Sequence, residues 1–307
     1  MLKIEFYAMG SHMQATASGE RGLIERQLRE VPGWFDDWER QLSRFQPTSE
    51  LGQLNQAAGR WFRPSDLLYE NLQIAQLAAA YSDGLFDPSM LMTLESIGYD
   101  RSFERLLHER HEPGELASIP AAGWQLVEFD ESAKRVRLPL GVGIDLGGIA
   151  KAWAAAKAAA RLGELGPALV DAGGDIAISG PRARGEAWPI ALASPFQAAK
   201  DLGWLWVEQG VVATSGRDIR RWQVNGQWRH HLLDPRTGWP AETDVLTATV
   251  VGEKCWQAEA GAKAALLLGA REGLKWLDGK KELEGILVLE SGELEVTEGI
   301  SRYGWTG

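Results

Sequence analysis

Apolar residues recur along this chain at two spacings, and the switches between them mark out its elements. Residues 4–7 and 13–17 flank Gly10-Ser11 as two strand-like runs, which predicts an opening β-hairpin. Residues 20–46 carry leucine, tryptophan and charge at helical spacing, and Pro32-Gly33 is expected to break that run. Ser49-Glu50 starts a short helical segment through Leu54-Asn55, and residues 67–81 form an amphipathic helix ending at Asp83-Gly84. Residues 105–122 read as loop, 125–130 and 135–139 as paired strands, and the alanine-rich stretch 149–162 as a strong helix. Short strands at 168–171 and 176–179 enclose Gly173-Gly174. Further strands follow at 188–192, 203–207, 210–214, 228–233 and 246–251. A helix over 257–268 stops at Gly269, a second covers 272–277, and a hairpin of 284–289 with 293–296 closes the chain. Strands follow one another too often for a regular βαβ alternation. The expectation is an α+β fold with mixed or antiparallel sheets and packed helices, as one domain over residues 1–307.

Composition narrows the partners. The 307 residues are 45% hydrophobic and 24% charged, enough to bury a full core. Acidic residues outnumber basic ones 42 to 32, a formal charge of -10, which argues against nucleic acid and anionic membrane surfaces as partners. Cys255 is the single cysteine, so no intramolecular disulfide forms. Neither a signal peptide nor a lipobox cysteine is visible, and no apolar stretch approaches the ~20 residues of a membrane helix. The expected location is cytoplasmic, without membrane insertion.

Three segments carry candidate chemistry. In the first, a strand is expected to deliver His231 and Asp234, after which Pro235-Arg236-Thr237-Gly238 forces a turn. An imidazole there can accept a hydroxyl proton near neutral pH; a plain structural turn, with Asp234 bonded to its own backbone, explains the same residue types. In the second, Gly147-Gly148 opens a helix whose first turn holds Lys151, so backbone N–H groups and an ammonium can meet a phosphate; a tight turn is the alternative. In the third, Asp171-Ala172-Gly173-Gly174-Asp175 permits close backbone approach beside two carboxylates, or is a glycine turn between strands.

Read together and in order, these segments resemble the ApbE family, the FAD:protein FMN transferases. The likeness also takes in Ala8-Met9-Gly10, Ser43-Arg44-Phe45, Ser49-Glu50-Leu51 running to Leu54-Asn55, Gly84-Leu85-Phe86-Asp87-Pro88, and Ala213-Thr214-Ser215-Gly216. It spans roughly residues 5 to 270. The resemblance implies two interleaved halves around a flavin cleft. It further implies attack by a threonine or serine hydroxyl of an acceptor flavoprotein on the FMN-side phosphorus of FAD, with AMP leaving. Hydrolysis of FAD to FMN and AMP, and FAD binding without catalysis, are the alternatives within it.

Carried over residue by residue, the resemblance makes His231 the base that deprotonates the acceptor, with Asp234 beside it in the catalytic pair. It assigns the cofactor to Met9, Ser43, Phe45, Glu50, Asn55, Asp87, Asp145, Gly148, Lys151, Asp171, Gly173, Gly174, Thr214, Ser215, Arg236 and Thr237. Relatives hold Mg²⁺ through a helical Asp, a Thr four residues on, and a backbone carbonyl. Here those positions fall on Glu259, Lys263 and Ala150. An ammonium group cannot ligate a cation, so Mg²⁺ is in doubt, and Lys263 is expected to replace part of its charge. Arg217, Arg220 and Arg221 form a local basic cluster suited to AMP or an acceptor.

Overall fold

The computed structural model describes residues 1–108, 120–121, 123–197, 199–224 and 226–307. Most of the expected loop over 105–122 lies outside the described residues, and its start belongs to a short helix, Phe103–His108. The chain folds as two compact units. The first is Met1–Asp36, Lys151–Asp218 and Thr243–Gly307; the second is Asp37–Ala150 and Ile219–Glu242.

The first unit is built on an eight-stranded sheet. In spatial order its strands are Leu2–Ala8, Ser11–Ala17, Ala168–Ala172, Ile176–Ile178, Gly210–Gly216, Val245–Gly252, Leu283–Leu289 and Leu294–Val296. Every neighbouring pair is antiparallel. One face receives the helix Cys255–Leu268, which packs on Gly210–Gly216 and Val245–Gly252. Gly261 permits that approach, because a Cβ there would stand 2.8 Å from Leu283 Cδ1 and 3.2 Å from Val250 Cγ1. Side chains alternate across a strand, so Val251 faces the other way. There Val212, Val251, Ile286 and Val288 pack against Trp188, Ile190, Leu205 and Val207 of a two-stranded ribbon, Trp188–Ala193 with Asp201–Val207. Cover on both faces explains why all seven residues of Leu283–Leu289 are buried and why the strand is apolar throughout 285–289.

The second unit carries the helices Glu50–Gln56, Asp66–Tyr81, Leu91–Ser96 and Phe103–His108. It also holds a small sheet in the order Trp61–Phe62, Arg135–Arg137, Glu128–Asp130, and a hairpin, Arg221–Val224 with Gln227–His230. Ser49 and Ser65 cap the first two helices by accepting from Gly52 N and Leu68 N. Met90, Leu94, Ile97, Tyr99, Trp222, Val224 and Leu233 form one of its cores.

Two expectations need correction. Pro32 does not break the helical run: one helix spans Arg21–Leu42 with Pro32 inside it. Ile24, Leu28, Val31, Phe35, Trp38 and Leu42 are all buried, and this stripe on both sides of the proline outweighs the lost hydrogen bond. The strand expected at 228–233 stops at His230, so His231 and Asp234 lie beyond it. Its partner Arg221–Val224 was not expected as a strand; Arg and Gln alternate there with the buried Trp222 and Val224 over only four residues. Because Phe35 is fully buried, with its ring 5.2 Å from that of Phe6, Phe35→Ala is expected to cost about 3–5 kcal/mol, read as a lowered urea midpoint at unchanged slope.

Candidate functional site

In the first unit the expected residues gather at one end of the eight-stranded sheet. Met9 and Gly10 make the turn of the opening hairpin, both with positive φ (48° and 66°). Ser11–Ala17 then pairs with Ala168–Ala172, which puts Met13 opposite Ala172 and brings the turn at 173–174 beside Ser11. Gly173 has no room for a side chain: a Cβ would sit 2.7 Å from Ser11 Cβ, and its φ is 72°. Gly174, also at positive φ, donates its N–H to Asp171 Oδ1 at 2.8 Å. Thr214 lies two residues past the Val212–Ile176 pair, toward this same end. It is exposed and shares a hydrogen bond with Thr249 at 2.9 Å, while Ser215 is buried on the opposite, helix-bearing face.

Four charged residues converge on the helix side of this end. Lys151, in the first turn of Ala150–Gly163, donates to Asp175 Oδ2 at 2.5 Å, and both side chains are largely buried. Glu259 is buried on Cys255–Leu268, with Lys263 one turn further along that helix. Burial, then the neighbouring Asp175 carboxylate, raises the Glu259 proton affinity well above the ordinary carboxylate range; Lys151 and Lys263 act against that rise. Burial likewise raises Asp171, against the pull of the Gly174 N–H. These donors do not suit Mg²⁺. Lys263 has no lone pair to offer. Among the described residues, no group of three or more His, Cys, Asp or Glu forms a potential metal cluster.

In the second unit the expected residues are mostly engaged in holding loops. The Asn55 side-chain amide grips Ile144 twice, accepting from its N–H at 2.8 Å and donating to its carbonyl at 3.0 Å. Asp145 Oδ1 accepts from Gly147 N at 2.6 Å and so shapes the Gly147-Gly148 turn, while the Asp145 N–H donates to Pro88 O. Asp87 accepts from Ser89 N, Ser89 Oγ and Trp124 N. Glu50 accepts from the N–H and hydroxyl of Ser65, each at 2.5 Å. The Ser43 carbonyl accepts the Ser49 hydroxyl at 2.7 Å. Phe45 stays partly exposed, with the Arg44 guanidinium 4.1 Å from its centroid. Ala150 is buried, and its N–H donates to Leu146 O.

His231 follows the hairpin and is tied back to it. Its N–H and its Nδ1 both lie 3.3 Å from Arg220 O. A carbonyl only accepts, so Nδ1 carries the proton, and in the neutral ring this leaves the lone pair on Nε2, the tautomer a base needs. Asp234 sits in the turn that follows: its Oδ1 accepts from Arg236 N and Nε at 2.9 and 2.8 Å, and its Oδ2 from Nη2 at 2.6 Å. The Asp234 carbonyl accepts from Thr237 N and Gly238 N. Asp234, Arg236 and Thr237 are thus joined in one turn motif.

Sequence reasoning quoted Arg44 within a motif without giving it a role. It makes a buried ion pair with Asp145 at 3.2 Å, donates to Tyr99 O at 2.8 Å, and lies 4.7 Å from the Tyr99 centroid. Tyr99 in turn packs on Trp222 of the hairpin, centroids 5.1 Å apart. The signal available was its place between Ser43 and Phe45. Arg217 donates to Val245 O, Thr243 O and Glu290, and Arg221 stacks over Trp228.

Comparison with known proteins returns a single theme. The ApbE family model matches residues 9–287. An FAD:protein FMN transferase of Chlamydia trachomatis is 28% identical over 270 residues, covering 84% of this chain and 81% of its own length. One from Klebsiella pneumoniae is 27% identical over 292 residues, covering 92% and 85%. The crystal structure of the ApbE protein of Thermotoga maritima superposes with a TM-score of 0.86 at 27% identity, covering 98% of each chain.

Two tests follow from the geometry. Arg44→Ala strands the Asp145 carboxylate among buried groups and is expected to cost about 3–5 kcal/mol in urea unfolding, with part recovered in R44A/D145N. Burial of Asp234 works to raise its pKa, but its hydrogen bonds from Arg236 prevail and hold it below the ordinary carboxylate value. The stability from this pair is therefore present above the ordinary value of ~3.9 and lost as pH falls through the lowered one. A carboxyl NMR titration is expected to show that lowered midpoint, and R236A to move it upward.

Proposed function

The chain belongs to the ApbE family, and from that membership we propose that it transfers the FMN half of FAD to an acceptor protein. The observation that carries this reading is the match over residues 9–287, which takes in every motif from Met9 to Gly238. The acceptor group is a threonine or serine hydroxyl of a flavoprotein. Its oxygen bonds to the FMN-side phosphorus, the bond from that phosphorus to the bridging oxygen breaks, and AMP leaves with that oxygen. FMN remains on the acceptor through a phosphoester.

His231 takes the hydroxyl proton at Nε2. The Arg220 carbonyl supports this role by retaining the proton of Nδ1 and fixing the ring. Asp234 and Arg236 set the turn that follows His231 and act as positioning residues. At the sheet end of the first unit, the glycine turn at 173–174 and the first turn of Ala150–Gly163 with Lys151 offer backbone and ammonium donors of the kind a diphosphate needs. No step is assigned to a divalent metal, since Lys263 stands where a hydroxyl ligand is expected.

Incubation with FAD and an acceptor peptide bearing a single threonine is expected to produce AMP and a fluorescent flavinyl peptide in equal amounts. AMP with free FMN and no labelled peptide identifies hydrolysis instead. His231→Ala is expected to lower transfer by roughly 10²–10⁴-fold while FAD affinity stays within about twofold, measured by flavin fluorescence. Wild-type turnover in that variant excludes His231 as the base.

A further inference from the structure

The charged cluster at the sheet end of the first unit combines two carboxyl groups with two ammonium groups. Asp175 and Glu259 are both buried, 3% and 7% exposed. Lys151 reaches Asp175 at 2.5 Å from the first turn of its helix. Lys263 stands one turn from Glu259 on Cys255–Leu268. A buried carboxylate requires a positive partner, a metal ion or a proton. Here the chain supplies the positive charge itself.

We propose that Lys263, with Lys151, is a covalently tethered replacement for a divalent cation, so that this protein binds and processes FAD without metal. The inference rests on the transferase reading, because the group the two ammonium ions face is taken to be the diphosphate of FAD. A magnesium ion at this place would meet the ammonium of Lys263 and only one side chain with a lone pair, Glu259, at the two helical positions expected to ligate it. Lysine offers a point charge on a flexible stem, able to follow a phosphoryl oxygen that a rigid ligand set would hold at fixed distance. The cost is specificity of geometry: an ammonium orients its phosphate less tightly than an octahedral ion does.

The test compares the whole protein in excess EDTA and in millimolar Mg²⁺, with FAD affinity read by flavin fluorescence, AMP release by chromatography, and Mn²⁺ binding by paramagnetic resonance. The expected result is equal FAD affinity and equal AMP release in both buffers, with no stoichiometric Mn²⁺ in the presence of FAD. Lys263→Met is expected to weaken FAD binding by about tenfold or more, and added Mg²⁺ is not expected to restore it. The double variant E259D/K263T is expected to bind Mn²⁺ and to make FAD binding depend on Mg²⁺, and its circular dichroism and urea midpoint report whether it is folded. FAD binding by the wild-type chain that disappears in EDTA and returns with Mg²⁺ overturns this inference while leaving the transferase reading intact. Absence of FAD binding in both buffers overturns the transferase reading and this inference with it. Undiminished FAD affinity in Lys263→Met overturns the role of Lys263 alone.

Discussion

Irregular backbone loses its regular hydrogen bonds and gains from side chains that replace them, and this constraint shapes the loops of both units. Irregular backbone lies wherever a helix gives way to a turn or a strand ends. Its N–H and C=O groups are met by side chains: Asn55 for Ile144, Asp145 for Gly147, Asp87 for Ser89 and Trp124, Asp171 for Gly174. Where two charges are buried, each is answered by another, as in Arg44 with Asp145 and Lys151 with Asp175. The loops that carry the family motifs are therefore tied down by the residues that mark them in the sequence. Such preorganisation is what a transfer reaction needs, because donors fixed before substrate arrives pay no reorganisation cost during the reaction.

This double duty explains what was legible in the sequence and what was not. The motifs were found because their residue types and order are unusual, and order along the chain is directly readable. Their roles were harder. Asn55 and Asp87 read as polar contacts for a cofactor, yet their side chains grip neighbouring backbone, and nothing in residue type separates those two uses. Arg44 received no role of its own, because its partners Asp145 and Tyr99 lie far from it in the chain and only the fold brings them together.

The elements divide in the same way. Strong local signals located the opening hairpin, the helix that starts at Ser49-Glu50, the amphipathic helix over 67–81, and the helix closed by Gly269. Pro32 misled because its penalty is local, whereas the compensation comes from six buried side chains spread along Arg21–Leu42. Arg221–Val224 escaped notice because a four-residue strand carries too few alternations to stand out, and its register is set by Gln227–His230. The all-antiparallel order of the large sheet lay beyond periodicity, since pattern identifies strands without naming their neighbours.

The first unit is assembled from three separate stretches of chain, the last beginning at Thr243. Strands Val245–Gly252 and Leu283–Leu289, which extend the large sheet beyond Gly210–Gly216, are therefore made by the ribosome after it. Until they emerge, Gly210–Gly216 presents an unpaired rim, and the face that receives Cys255–Leu268 lacks its cover. Translation speed and chaperone supply thus bear on the yield of this protein, and truncation anywhere before Leu289 leaves an aggregation-prone fragment in place of a smaller working domain.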